Sequence, residues 1–273
     1  MKKIFSLLLL FCLAGSFANA ESTPKREFRG AWIQAVNGQF TGMGEQEMKK
    51  YLTDMLDNLQ KVNVNAVIFQ VRVEGDALYE SRYEPWSRFL TGVQGKSPGW
   101  DPLAFMVDEC HKRNMELHAW INPYRISTAT QNVDEINNKS PAYLWQRDAI
   151  PENDKNVCFS DGIYLNPAES EVRRLILNGV REVVKNYDID GIHFDDYFYP
   201  SVDVNIDKSE YQKSGYNDLS QFRLDSVSKL ISSVYKLIKE NKPEILFGVS
   251  PQGNIDNNYN SQYADVKRWC NEA

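Results

Sequence analysis

The chain has 273 residues, of which 42% are apolar and 25% charged, and it carries a formal net charge of −6. That length and apolar share support a sizeable core, as one large domain or two small ones. The acidic balance, with no long basic block, argues against a nucleic-acid partner.

The first twenty residues read as an export leader. Lys2 and Lys3 precede a short apolar run from Ile4 to Leu13, and Ala18-Asn19-Ala20 supplies an A-x-A cleavage site. The mature chain is expected to start at Glu21, with a net charge of −8 once the two leader lysines are lost. The apolar run is short for a membrane span, and no later segment is long enough. The expected location is therefore periplasmic or secreted. A lipid anchor at Cys12 is the less favoured reading, because Phe11 stands where such signals want a small residue. Cys110, Cys158 and Cys270 remain after cleavage. They are odd in number, widely spaced and without a CxxC, which is not a disulfide framework, so at most one bridge is expected.

Strands and helices then alternate. Residues 28–34 read as a first strand. Residues 45–62 form an amphipathic helix, with Met48, Leu52, Met55, Leu56 and Leu59 at helical spacing. Ala66 to Val71 is a nearly continuous apolar run, the pattern of a parallel strand covered on both faces. After a polar and aromatic loop, Asp101-Pro102 opens a helix that runs to Arg113. Residues 115–121 are a third strand, ending at Asn122-Pro123-Tyr124-Arg125. The stretch 126–166 shows turn residues and no clear period. Helix 168–187 leads to a fourth strand, Asp190-Gly191-Ile192-His193-Phe194-Asp195-Asp196. Helix 218–240, a fifth strand at 245–250 and a helical start at 261–271 complete the pattern. The expected class is α/β, a (β/α)8 barrel, with a doubly wound sheet as runner-up. Five strand-helix units fall short of eight, so the barrel is expected to be incomplete, with its C-terminal strands missing.

Chemistry collects at the carboxyl ends of these strands, where α/β folds carry their sites. Alternation along the fourth strand puts His193 and Asp195 on one face, opposite Ile192, Phe194 and Asp196. Asp195 is the candidate reacting carboxylate, and Glu74 the candidate second one, since glycoside hydrolysis uses a carboxyl pair. Arg72, Asp76, His118, Trp120, Asn122, Tyr124, Arg125, His193 and Asp196 are the candidate substrate-binding residues. Arginine and amide groups bond sugar hydroxyls with fixed geometry, and the aromatic content of 12% offers faces for sugar rings. For Asp196 a turn-forming role stands level with a functional one. No HxxxH spacing supports a metal centre, no GxGxxG or Walker loop supports a nucleotide, and no GxSxG supports a serine nucleophile. No cofactor is expected. Two alternatives stay open: a non-catalytic carbohydrate-binding barrel, and a metal-dependent polysaccharide deacetylase or hydrolase.

The chain also resembles the glycosyl-hydrolase-like family 10 proteins. The resembling residues include Phe28-Arg29-Gly30-Ala31-Trp32, Phe69-Gln70-Val71-Arg72, Glu84-Pro85-Trp86-Ser87, Pro98-Gly99-Trp100-Asp101-Pro102 and Glu116-Leu117-His118-Ala119-Trp120. Asn122-Pro123-Tyr124-Arg125, Gly191-Ile192-His193-Phe194-Asp195-Asp196-Tyr197 and Val249-Ser250-Pro251 continue the match. The resemblance implies an exported barrel glycosidase whose substrate is peptidoglycan glycan stripped of its peptides. It also implies that the family continues past Ala273 with further strands, and a second carboxylate would then lie there.

Overall fold

A computed structural model describes residues 27–272. The leader expected over the first twenty residues lies outside the described residues. In chain order the elements are β1 (Gly30–Ile33), α1 (Glu45–Lys61), β2 (Ala66–Arg72), α2 (Arg88–Thr91), α3 (Pro102–His111), β3 (Glu116–Ile121) and β4 (Arg125–Ser127). They continue with α4 (Pro141–Arg147), β5 (Val157–Phe159), β6 (Ile163–Leu165), α5 (Ser170–Asn186), β7 (Gly191–Phe194) and α6 (Lys208–Ser214). The last are α7 (Leu219–Asn241), β8 (Leu246–Val249), α8 (Ile255–Asn260) and α9 (Val266–Glu272).

The main sheet is wholly parallel in the order β1-β2-β3-β7-β8. Each new parallel strand is added beside the previous one, in one direction. A doubly wound sheet reverses its order at a switch point, and none occurs here. The winding is that of a (β/α) barrel, which replaces the doubly wound alternative. Among the described residues the sheet is open, with β1 and β8 at its edges.

Alternation divides the sheet into two chemically different faces. Val67, Phe69, Val71, Leu117, Ala119, Ile121, Ile192 and Phe194 point outward and are buried. They meet Leu52 and Leu56 of α1, Leu103 and Met106 of α3, Val180 and Val184 of α5, and Val234 of α7 in one core. At roughly 25 cal/mol per Å2 of apolar surface, this outer layer is the main stabilising term. The helices start where their caps dictate: Asp101 accepts from the Ala104 N–H at 2.9 Å with Pro102 beside it, and Asp218 accepts from Ser220 at 2.9 Å.

The opposite face carries polar and aromatic residues. Register aligns Gln70, Trp120, His193 and Gly248 in one row, and Trp32, Ile68, His118 and Gly191 in the row below. Two glycines make room for the two imidazoles. A Cβ on Gly191 would stand 2.2 Å from His118 Nδ1, and one on Gly248 would stand 2.7 Å from His193 Nδ1.

The stretch 126–166, read from sequence as aperiodic, holds a second, antiparallel sheet in the order β4-β6-β5, together with α4. Its three-residue strands are too short to show a period. The three thiols Cys110, Cys158 and Cys270 are free. No described helix is long and apolar enough to cross a membrane.

Candidate active site

Asp195 follows β7 directly and is 7% exposed. Its carboxylate accepts from Trp120 Nε1 at 3.0 Å, from Asn122 Nδ2 at 3.0 and 3.1 Å, and from the Tyr197 N–H at 3.3 Å. Burial pushes its pKa up, while these donors and the Arg125 charge pull it back. Every one of these hydrogen-bond partners donates. A protonated carboxyl would need an acceptor, so the arrangement is built for the ionised form.

Asn122 is the hub of this arrangement. It is fully buried, and its Oδ1 accepts from the Arg125 N–H at 2.9 Å while its Nδ2 serves Asp195. Its backbone is tied to Arg72, whose carbonyl accepts from the Asn122 N–H at 3.0 Å and whose guanidinium bonds the Asn122 carbonyl. Arg72 is itself held by a buried ion pair with Glu84 at 2.7 Å. Burial raises the Glu84 pKa, and Arg72 opposes the rise.

Aromatic rings cover the polar face next to Asp195. Trp32, 43% exposed, meets Trp120 edge-on at 4.7 Å and His193 edge-on at 4.6 Å between ring centres. His193 Nε2 shares a 2.7 Å hydrogen bond with Ser250 Oγ at the end of β8. Arg125 lies over the exposed Tyr197 ring at 4.3 Å. Aromatic faces beside a carboxylate suit a sugar chain laid across the sheet.

The structure therefore brings Trp120, Asn122, Arg125 and Asp195 together, with Arg72 behind them and His193 alongside. It does not bring Glu74 into that network. Glu74 is 1% exposed, accepts from Thr128 Oγ1 at 2.7 Å and the Thr128 N–H at 3.1 Å, and pairs with Arg88 at 2.8 Å. None of these partners is shared with Asp195. Asp76, fully buried, accepts from the Glu74 N–H at 3.1 Å and from Gln94 at 3.4 Å, and burial raises its pKa. Tyr124 belongs to the hydrophobic core. His118, 3% exposed, contacts Glu116 at 3.2 Å and the Phe28 ring. Asp196 is half-buried. Arg72, Asp76, Tyr124 and His118 thus sit as supporting groups below the surface. Sequence reasoning left Tyr197 and Glu84 out of the site; each meets its arginine only through tertiary folding.

The His193 ring carries a pH signature. Burial and the neighbouring His118 pull its pKa from 6.5 down to about 4. The unfolded chain binds that proton first, so its stabilising contribution is present above pH 6.5 and is lost as pH falls towards 4. Between pH 7 and 4.5 the wild-type protein is expected to lose about 2 kcal/mol more stability than His193→Gln. Urea unfolding of both at the two pH values checks this; equal losses would refute it.

Known proteins resemble this chain in fold and in sequence. The glycoside hydrolase domain of PgaB (BpsB) from Bordetella bronchiseptica superposes with a TM-score of 0.59 at 13% identity, over 88% of this chain and 70% of that one. Alpha-L-fucosidase isoenzyme 2 from Paenibacillus thiaminolyticus gives 0.56 at 14% identity, over 81% of this chain and 32% of that one. These likenesses place the chain among the barrel folds used by glycosidases. Residues 27–273 match the family described as Glycosyl hydrolase-like 10, and the chain belongs to that family. It is 38% identical to glycosyl hydrolase YngK of Bacillus subtilis (strain 168) over 94% of its own length and 53% of that protein. It is 39% identical to glycosyl hydrolase DigH of Escherichia coli (strain K12), over 88% of its length and 59% of that protein. The chain thus spans little more than half the length of these curated relatives.

Proposed function

We propose that the protein is an exported glycoside hydrolase that cleaves peptidoglycan glycan strands from which the peptides have been removed. One observation carries the reading: a buried carboxylate, Asp195, held by donors alone at the tip of a central parallel strand, beneath exposed aromatic rings. An ionised carboxylate in that position stabilises the oxocarbenium-like charge that builds at the anomeric carbon, or attacks it. Family membership supports hydrolysis of a glycosidic bond. The leader supports export.

Asp195 is the reacting carboxylate of this proposal. Glu74, the second carboxylate expected from sequence, is set aside, because its partners Thr128 and Arg88 belong to a separate network that shares no group with Asp195. Glu74→Gln is expected to cost about 1–3 kcal/mol of stability by leaving buried partners poorly matched. Its turnover per folded molecule is expected to change less than tenfold. Thermal melts alongside hydrolysis rates check this. A stable variant with no turnover would return Glu74 to the reaction.

The function itself is tested by incubating the protein with peptide-free glycan and measuring new reducing ends, with and without a chelator. Shorter glycan chains and new reducing ends, insensitive to chelator, are the expected result. Acetate release without chain cleavage would show a deacetylase. Tight glycan binding with no product would show a binding protein.

A further inference from the structure

Three arginines are buried to nine-tenths or more among the described residues: Arg72, Arg125 and Arg223. Two of them face a carboxylate. Arg72 pairs with Glu84 at 2.7 Å and Arg223 with Asp207 at 2.6 Å. Arg125 has no ion pair, and its guanidinium makes no hydrogen bond within the described residues. Its Nε is enclosed without a partner. A cation held this far from water is costly unless an anion meets it.

The position of Arg125 is fixed from two sides. Its backbone N–H is bonded to Asn122 Oδ1, and the same amide donates through Nδ2 to Asp195. The Tyr197 ring supports one face of the guanidinium at 4.3 Å. Stacking occupies a face and leaves the N–H edge, which is the part that matches a carboxylate with two parallel bonds. One buried side chain, Asn122, therefore indexes an unpaired cation to the candidate reacting carboxylate. The Arg125 charge already reaches Asp195 without pairing with it.

We infer that Arg125 and Tyr197 form a carboxylate-selective subsite beside Asp195, which takes the acidic ether side chain of a muramic acid residue in peptide-free glycan. This rests on the substrate proposed above. When a peptide is attached, that carboxyl is an amide and carries no charge. The subsite then loses its ion pair and leaves the Arg125 cation buried and unmatched. Discrimination against peptide-bearing glycan follows from one side chain, through the penalty of an unpaired buried charge.

The test compares binding of two soluble glycan oligomers, identical except that the lactyl carboxylates of one are converted to carboxamides. Calorimetry with the wild-type protein is expected to show the acid form binding at least tenfold more tightly. Arg125→Gln is expected to bring the two within about twofold. Arg125→Lys keeps the charge but not the fork, and should leave an intermediate preference. Equal affinity of the wild-type protein for both oligomers would overturn the subsite, as would no binding of either, or a full preference surviving in Arg125→Gln. The wild-type comparison decides the matter even if Arg125→Gln does not fold. Absence of hydrolysis counts against the proposed reaction, whereas the affinity ratio reads the subsite alone.

Discussion

Asp195→Asn is expected to reduce glycan hydrolysis by on the order of 10^3-fold or more, with little change in fold. The proposed chemistry needs a negative oxygen at the β7 tip, and the amide supplies none. The structural consequences are small because two effects oppose each other. The amide removes a buried charge whose pKa is already raised by desolvation. It also turns an N–H2 group towards Trp120 and Asn122, which are donors themselves. Such a mismatch costs about 1–3 kcal/mol, and relief of the buried charge offsets part of it. Rates measured at equal folded concentration, with thermal melts as control, check the prediction. Turnover within tenfold of wild type would remove Asp195 from the reaction.

The largest stability effect is expected at Arg223. Its side chain and that of Asp207 are fully buried, and the pair is bidentate, with contacts of 2.6 to 3.1 Å. Arg223 also bonds the Asp203 carbonyl at 2.6 Å and the Tyr263 hydroxyl at 3.1 Å, and Tyr199 donates to Asp207 at 3.0 Å. This node joins α7, Tyr263 and the segment that follows Asp195. Arg223→Met leaves the Asp207 charge buried without its partner. The expected loss is about 3–5 kcal/mol, or about 10 °C in melting temperature for a domain of this size. Lys50→Ala, which breaks an exposed pair with Asp54, is the contrast; its effect is expected to stay below about 0.5 kcal/mol. A melting temperature for Arg223→Met within 2 °C of wild type, an interval of less than about 1 kcal/mol, would contradict the assignment.

The barrel-type sheet was legible because its interior strands are short, mostly apolar runs buried on both faces, and its helices carry wide apolar stripes. The expected helix at residues 45–62 is α1 (Glu45–Lys61), and that at 218–240 is α7 (Leu219–Asn241). The strand winding was less legible, since the same strand-helix alternation precedes either a barrel or a doubly wound sheet. Only the hydrogen-bonded order separates them. Strands β4, β5 and β6 left no pattern because three residues cannot display a period of two convincingly.

The site was legible to the extent that strand alternation decides it. The face shared by His193 and Asp195 followed from sequence parity, and the contacts of Trp120 and Asn122 with Asp195 bear that geometry out. What sequence did not show was how each charge is matched. Arg72 and Glu84 are twelve residues apart in a loop-rich stretch, and nothing local marks them as partners. Glu74 follows a strand as Asp195 does, yet Thr128 and Arg88 enclose it. The unpaired state of Arg125 is likewise a property of what surrounds it in space.

Cleavage of glycosidic bonds in peptide-free glycan by the Asp195 face is the proposed activity. It is tested most directly by measuring glycan affinity and reducing-end release together, for wild type and for Asp195→Asn. The expected result is turnover by the wild-type protein, and an Asp195→Asn protein that binds within about threefold of wild type yet releases on the order of 10^3-fold fewer ends. Wild-type protein that binds the glycan and releases no new ends, or equal release by both proteins, would contradict the account.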